Sequence, residues 1–404
     1  MGRWSARIGL VLIAGLAAFF VFAPGMVERQ RNLVDPAALP PVTAEAQALH
    51  DRLTIVDLHA DTLLWDRDIT RRAGRGHVDL PRLREGNVAL QVFSSVTKSP
   101  RGQNYDGNDE NSDNITALVI AQLQPPRTWT SLLQRTLYHG EKLRAAVARA
   151  EDGLVMVTSG PGLDAFVEDA QQTRPDTVFA MLSVEGLHNL EGDLANLDVL
   201  RDAGVGMAGL THFFDNEIAG SMHGRERGGL TAMGREAVTR MEQLGIIVDI
   251  AHCSEACVAD VLAMARRPVV SSHGGVQATC PGNRNLTDGQ IRGIARTGGV
   301  IGIGYWSGAV CATDPAAIAR AMTHVRDVGG VQTVALGSDF DGNVLTGFDT
   351  AALAHITQAL MDAGWNERDI RLAMGQNALR VLSSSGVAQP PDRLLAPPPT
   401  GPAQ

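Results

Sequence analysis

Eight short runs rich in Val and Ile, set apart by helical patterns, constrain this chain more than any other feature. They read as strands at residues 55–58, 88–94, 179–184, 205–211, 246–251, 269–272, 300–304 and 334–338. The segments between them, such as LTAMGREAVTRMEQLG, SEACVADVLAMARR and DPAAIARAMTHVRDVGG, have apolar residues at helical spacing, and several open on Ser, Thr or Asp as an N-cap. Repeated strand–helix alternation demands parallel strands with right-handed crossovers. Eight such units predict an α/β fold of the (β/α)8 TIM-barrel class, with an open doubly wound sheet as the second choice.

What ends those strands suggests the chemistry. The first run finishes in His59 and Asp61, the third in Glu185, the fourth in His212, the fifth in His252, the sixth in His273 and the eighth in Asp339. In a parallel barrel every strand's C-terminal end opens on one face, so these groups converge there. Singly, each reads as a turn residue or a cap; together they read as a site. Imidazole and carboxylate without cysteine suit zinc, manganese or iron. His59 and Asp61 alternate along extended chain and share a face. Glu185 has two oxygens to bridge two ions, and His252 and His273 complete the second. Paired metals hold a hydroxide and stabilise the oxyanion it creates, and no G-x-S-x-G elbow offers a rival nucleophile. By subtraction, His212 is left to stabilise an oxyanion and Asp339 to carry a proton. Arg284, in the loop after the sixth strand, is placed to grip a substrate carboxylate. Asp341 reads as structural. His50, His77, His139, His188, His223, His324 and His355 read as structural or exposed, His223 being the least settled.

The rest of the chain frames that domain. Residues 1–32 run uncharged from Ile8 to Val27 behind Arg3 and Arg7, a pattern of a membrane anchor or a signal peptide; either one exports the barrel domain. Residues 33–48 read as a linker, 49–385 as the barrel domain and 386–404 as a disordered proline-rich tail. Residues 97–150 break the strand–helix rhythm with a polar, glycine-rich stretch and a helical one, an excursion expected near the active face. A net charge of −9 and the lack of a basic run argue against nucleic acid as a partner. Cys280 and Cys311 form one candidate disulfide; Cys253 and Cys257, a helical turn apart, read as free and packed.

The segments VDLHADTLLW, LSVEGLHNL, GLTHFFDN, GIIVDIAHCSE, PVVSSHGGVQATCPGNRNLTD, GSDFDG and MGQNALRVL occur in this order across about residues 55–382. As a set they resemble the membrane dipeptidase (renal dipeptidase) family. The resemblance implies a zinc-dependent dipeptidase on a (β/α)8 barrel, usually dimeric. It implies one Zn2+ on His59, Asp61 and Glu185 and a second on Glu185, His252 and His273. His212 and Arg284 would contact a small dipeptide, with Asp339 as the acid/base. Family members often accept a C-terminal D-residue, and some open β-lactams. The chain departs from the family at Gly304-Tyr305-Trp306, where many relatives have Asn-Phe-Tyr; Trp306 is then the expected substrate neighbour. The family also has a disulfide like the Cys280–Cys311 candidate. Two other readings stay open: a different metal-dependent barrel hydrolase such as a deaminase or lactonase, and a binding protein with a dead site. The first usually opens on His-x-His rather than His59-x-Asp61, and the second would have lost a ligand.

Overall fold

The computed structural model describes residues 2–35, 37 and 39–385, without the side chains of 2–6, 8–14 and 16; the expected tail at 386–404 lies outside the described residues. Eight parallel strands close a ring: β1 (Ile55–Ala60), β2 (Val88–Val96), β3 (Val178–Glu185), β4 (Val205–Gly209), β5 (Ile247–Asp249), β6 (Val270–Ser271), β7 (Val300–Ile303) and β8 (Val334–Leu336). Each pairs with its neighbour, and β8 pairs with β1 through Leu336 and Asp57, which closes the barrel. The strands are buried on both faces, which is why they read as unbroken Val/Ile runs rather than alternating ones.

A further strand, Leu154–Val157, was not foreseen. β2 occupies one edge of β3 from Phe179 to Glu185. The other edge is shared: Leu154–Val157 takes its first half and β4 its second, so the extra strand lies outside the ring. Four residues between turn signals leave too little pattern to read.

Among the helices that cover the barrel, those foreseen from their caps form as expected. In chain order the helices used below are α1 (Gly2–Arg31), α2 (Ile115–Ala121), α3 (Leu132–Ala150), α4 (Ala232–Leu244), α5 (Glu255–Met264), α6 (Asp288–Arg296) and α7 (Pro315–Gly329). Thr231, Ser254, Thr287 and Asp314 each accept a backbone N–H two or three residues into the helix they start. The excursion contributes α2 and α3, pinned by the buried Arg135, which donates to the carbonyls of Thr97 and Thr128 and to Asp113.

The N-terminal segment is fastened to the barrel's C-terminal face. Glu28, on the last turns of α1, is buried and paired with Arg67 at 2.6 Å and Arg75 at 2.5 Å. Arg67 reaches on to Asp341. Asn32 accepts the N–H of Asn343 at 2.9 Å, and Leu33–Val34 pairs in parallel with Leu345–Thr346. Among the described residues, no helix is long and apolar enough to cross a membrane; the side chains of residues 8–14, on which the anchor reading leans, lie outside that set.

The structure pairs Cys280 with Cys311, in agreement with the candidate pairing. It also pairs Cys253 with Cys257, correcting the expectation that these stay free: Cys253 lies just ahead of the Ser254 N-cap and Cys257 in the first turn of α5, which brings their Cα atoms to 5.5 Å, inside disulfide reach.

Candidate metal centre

Glu185 is the hub of the barrel's C-terminal face. Its Oε1 lies 3.0 Å from His252 Nε2, 3.3 Å from His273 Nε2, 3.6 Å from His212 Nε2 and 3.7 Å from His59 Nε2. Asp61 is 3.3 Å from His59 Nε2 and Asp339 is 3.9 Å from it. All seven groups expected at strand ends are therefore together and buried. Three overlapping sets offer ligand atoms to a cation: His59–Asp61–Glu185, Glu185–His212–His252 and His59–His273–Asp339.

The local chain explains these positions. Turning sharply after a strand aims side chains over the barrel mouth, and His252, Asp339, Asp341 and Asn343 all adopt left-handed backbone (φ between 60° and 65°) to do so. His, Asp and Asn are the non-glycine residues that adopt this conformation most readily. Gly342 has to be glycine: a Cβ there would come within 2.1 Å of the Asp339 carboxylate.

A second layer orients the ligands. Asp57 accepts the backbone N–H groups of His59 and Ser338, and Ser338 Oγ donates to the His59 carbonyl. Ser272 Oγ donates to Asp249 at 2.5 Å and meets His273 Nδ1 at 2.9 Å, which leaves His273 Nε2 free for the centre. His212 Nδ1 donates to the Lys98 carbonyl at 3.2 Å, so its Nε2 points an electron pair toward Glu185.

These residues fit a bound cation. Both ring nitrogens of His59, Asp61 Oδ1, Glu185 Oε2 and His252 Nδ1 are buried without a hydrogen-bond partner. Orphaned polar atoms in this number are costly unless something charged meets them. Left to itself, the cluster would be driven neutral. Burial pushes the Asp61 and Glu185 carboxyls well up, each helped by a neighbouring carboxylate, and raises Asp339 to about 8. Burial likewise pushes His252 and His273 well down and His212 to about 3. A divalent ion reverses that balance, because it stabilises carboxylates and binds neutral imidazoles.

The groups expected to meet substrate lie alongside. Arg284 is 4% exposed, donates to the His273 carbonyl at 3.1 Å and stacks over Trp306 at 5.2 Å. No carboxylate pairs with it among the described residues. Trp306 Nε1 bonds the Tyr105 hydroxyl at 2.9 Å, while Tyr305 turns inward and packs on Phe340 and Phe348. Several neighbours were not legible as site residues. Tyr105 and Gln103 come from the excursion and Phe213 from the loop after β4; all three line the cavity of about 70 Å³ over the centre. His223 is buried in the wall, stacked on Phe213 at 4.6 Å and 5.4 Å from the His252 ring. His50, His77, His139 and His188 are buried, with hydrogen bonds to groups outside the cluster.

The model of the membrane dipeptidase family (peptidase family M19) matches residues 43–390. Dipeptidase aclJ of Aspergillus oryzae is 30% identical over 355 residues, covering 82% of this chain and 78% of that one. Dipeptidase tcpJ of Claviceps purpurea is 27% identical, over 84% of this chain and 77% of its own. Among solved structures, the probable dipeptidase PvdM of Pseudomonas aeruginosa superposes with a TM-score of 0.68 at 19% identity, over 84% and 97% of the two chains. A Rhodobacter sphaeroides metallo peptidase, solved with a phosphinate mimic of L-Ala-D-Ala, gives 0.66 at 21%, over 82% and 99%. These last two share the fold. With its ligand-rich barrel face and a family match over most of its length, this chain belongs to the membrane dipeptidase family and is a metallo-dipeptidase.

Proposed function

We propose that the chain is a zinc-dependent hydrolase of dipeptides, with a free substrate carboxylate held at Arg284. The observation that carries this is Arg284 itself. A buried guanidinium with no carboxylate partner is expensive, and it sits against His273 at the edge of the metal centre. A substrate carboxylate supplies the missing charge in bidentate geometry. His59, Asp61 and Glu185 would hold one zinc, and Glu185, His252 and His273 the other. Bound zinc supplies a nucleophilic hydroxide at neutral pH and polarises the scissile carbonyl.

The chain's own residues do the rest. Asp339, at the edge of the centre 3.9 Å from His59 Nε2, is placed to take the proton of the attacking water and pass it to the leaving amine. His212 faces the centre through Nε2. Since its Nδ1 already donates to Lys98, it can stabilise developing negative charge only by becoming protonated, a change that the charge itself favours. Trp306 supports the Arg284 plane.

The test is a dipeptide panel that includes L-Ala-D-Ala, assayed with and without chelator. Chelator-sensitive release of amino acids is expected; intact dipeptides throughout would refute the reading. We propose as well that the N-terminal segment exports the domain and that the enzyme is a homodimer. Cell fractionation and light scattering check these two points.

A further inference from the structure

The cavity over the metal centre holds about 70 Å³, too little for a dipeptide. A second cavity, of about 420 Å³, adjoins it and shares Asp61, Gln103, Gly342 and Asn343 with it. Arg284, Trp306 and His212 border only the first. A substrate with its carboxylate on Arg284 finds room for its other end across Asp61, in the second cavity. That cavity has an apolar side made by Leu64, Trp65, Val96, Ile115 and Leu118, the first four of which belong to a buried cluster of their own, and a polar side with Ser99, Gln103 and Asn114.

One further part of its wall is unexpected. Val27 and Arg31, on the last turns of α1, face into it. They are held there by the buried Glu28, whose carboxylate is locked between Arg67 and Arg75, and by Asn32 on Asn343. The segment that reads as an anchor or targeting signal thus ends as part of a chamber that opens on the metal centre.

We propose that this second chamber receives the side chain of the substrate's N-terminal residue, that it selects large apolar side chains, and that Val27 and Arg31 of α1 limit their size. The proposal rests on the dipeptidase reading above. α2, from the excursion, supplies another part of the wall through Ile115 and Leu118, so two segments outside the strand–helix rhythm jointly set specificity.

The experiment compares Phe-Ala with Gly-Ala on the full-length, zinc-loaded protein. Val27→Trp and Leu118→Trp each fill the chamber from one wall, and Val199→Trp, at an exposed position outside both cavities, is the control. In the native protein kcat/KM for Phe-Ala is expected to exceed that for Gly-Ala by about tenfold or more, the range that apolar pockets deliver. Both filling variants are expected to cut that ratio by about tenfold, with Val199→Trp leaving it unchanged. Binding of phosphinate analogues with Phe or Gly at the first position should shift in parallel, independently of turnover. Ratios within about twofold of native in both filling variants, with zinc content intact, would overturn the chamber's role. Failure of the native protein to cleave either dipeptide would instead sink the dipeptidase reading, and this inference with it.

Discussion

Two buried charged clusters lie within two residues of each other on one loop, and they differ in what completes them. Around Asp341, every charge has a protein partner: Arg67 pairs with it, Thr62 Oγ1 and the His77 N–H donate to it, and Arg67 continues to Glu28. Around Asp339, carboxylates face carboxylates and imidazoles, and both His59 ring nitrogens, Asp61 Oδ1 and Glu185 Oε2 have no hydrogen-bond partner. Both aspartates use the same left-handed backbone and both are buried. The first cluster is finished by arginines from the chain and holds the N-terminal segment in place. The second needs charge from outside, as a hydrolytic metal centre does.

The sharpest way to break this comparison is to exchange the consequences. Asp339→Asn should lower turnover by about 10²–10⁴-fold, the usual worth of a positioned acid/base, while metal content stays native; elemental analysis and kinetics on one preparation check both halves. If Asp339→Asn loses metal, Asp339 is a ligand instead. Next in size, Arg67→Ala leaves Asp341 buried without its arginine and Glu28 with Arg75 alone, with an expected loss of about 3–5 kcal/mol in denaturant unfolding. Metal stoichiometry should survive this change.

Arg284→Ala should raise KM for dipeptides by about tenfold to a hundredfold, matching the loss of hydrogen bonds to a charged group, with little effect on folding. An unchanged KM would remove Arg284 from the substrate site.

A further contrast is a pH slope confined to the metal cluster. Asp339 is raised from 3.8 to about 8, so in metal-free protein its contribution to stability is complete below pH 4 and lost as pH rises toward 8. His212, lowered from 6.5 to about 3, acts in the other direction, losing its contribution as pH falls below 6.5. Above pH 6.5 only the carboxylates still act, so metal-free protein should lose stability from pH 6.5 to 8, by up to about 1.4 kcal/mol per pH unit per group. Saturating zinc should abolish that loss. Denaturant midpoints with and without chelator give the slope; a metal-free protein that gains stability over this range would contradict it.

Most of the barrel was legible because parallel strands buried on both faces must be continuous apolar runs, and because Thr231, Ser254, Thr287 and Asp314 mark helix starts by side-chain chemistry. The convergence of the strand-end groups was legible because His and carboxylate recur where strands stop. Leu154–Val157 escaped because it pairs outside the ring and is too short for a period. Tyr105, Gln103 and His223 escaped because they sit in polar loops whose path depends on tertiary contacts, as when the Tyr105 carbonyl meets His223 Nδ1 at 3.3 Å. The docking of Glu28 was hidden for another reason: its partner Arg67 is 39 residues away and is itself shared with Asp341, 274 residues further on, and nothing local to Glu28 announces either.

Elemental analysis of the folded full-length chain tests the central claim most directly. The orphaned cluster predicts about two zinc ions per chain, removable by chelator together with activity and restored with it. A folded chain that binds no metal under saturating zinc would contradict it.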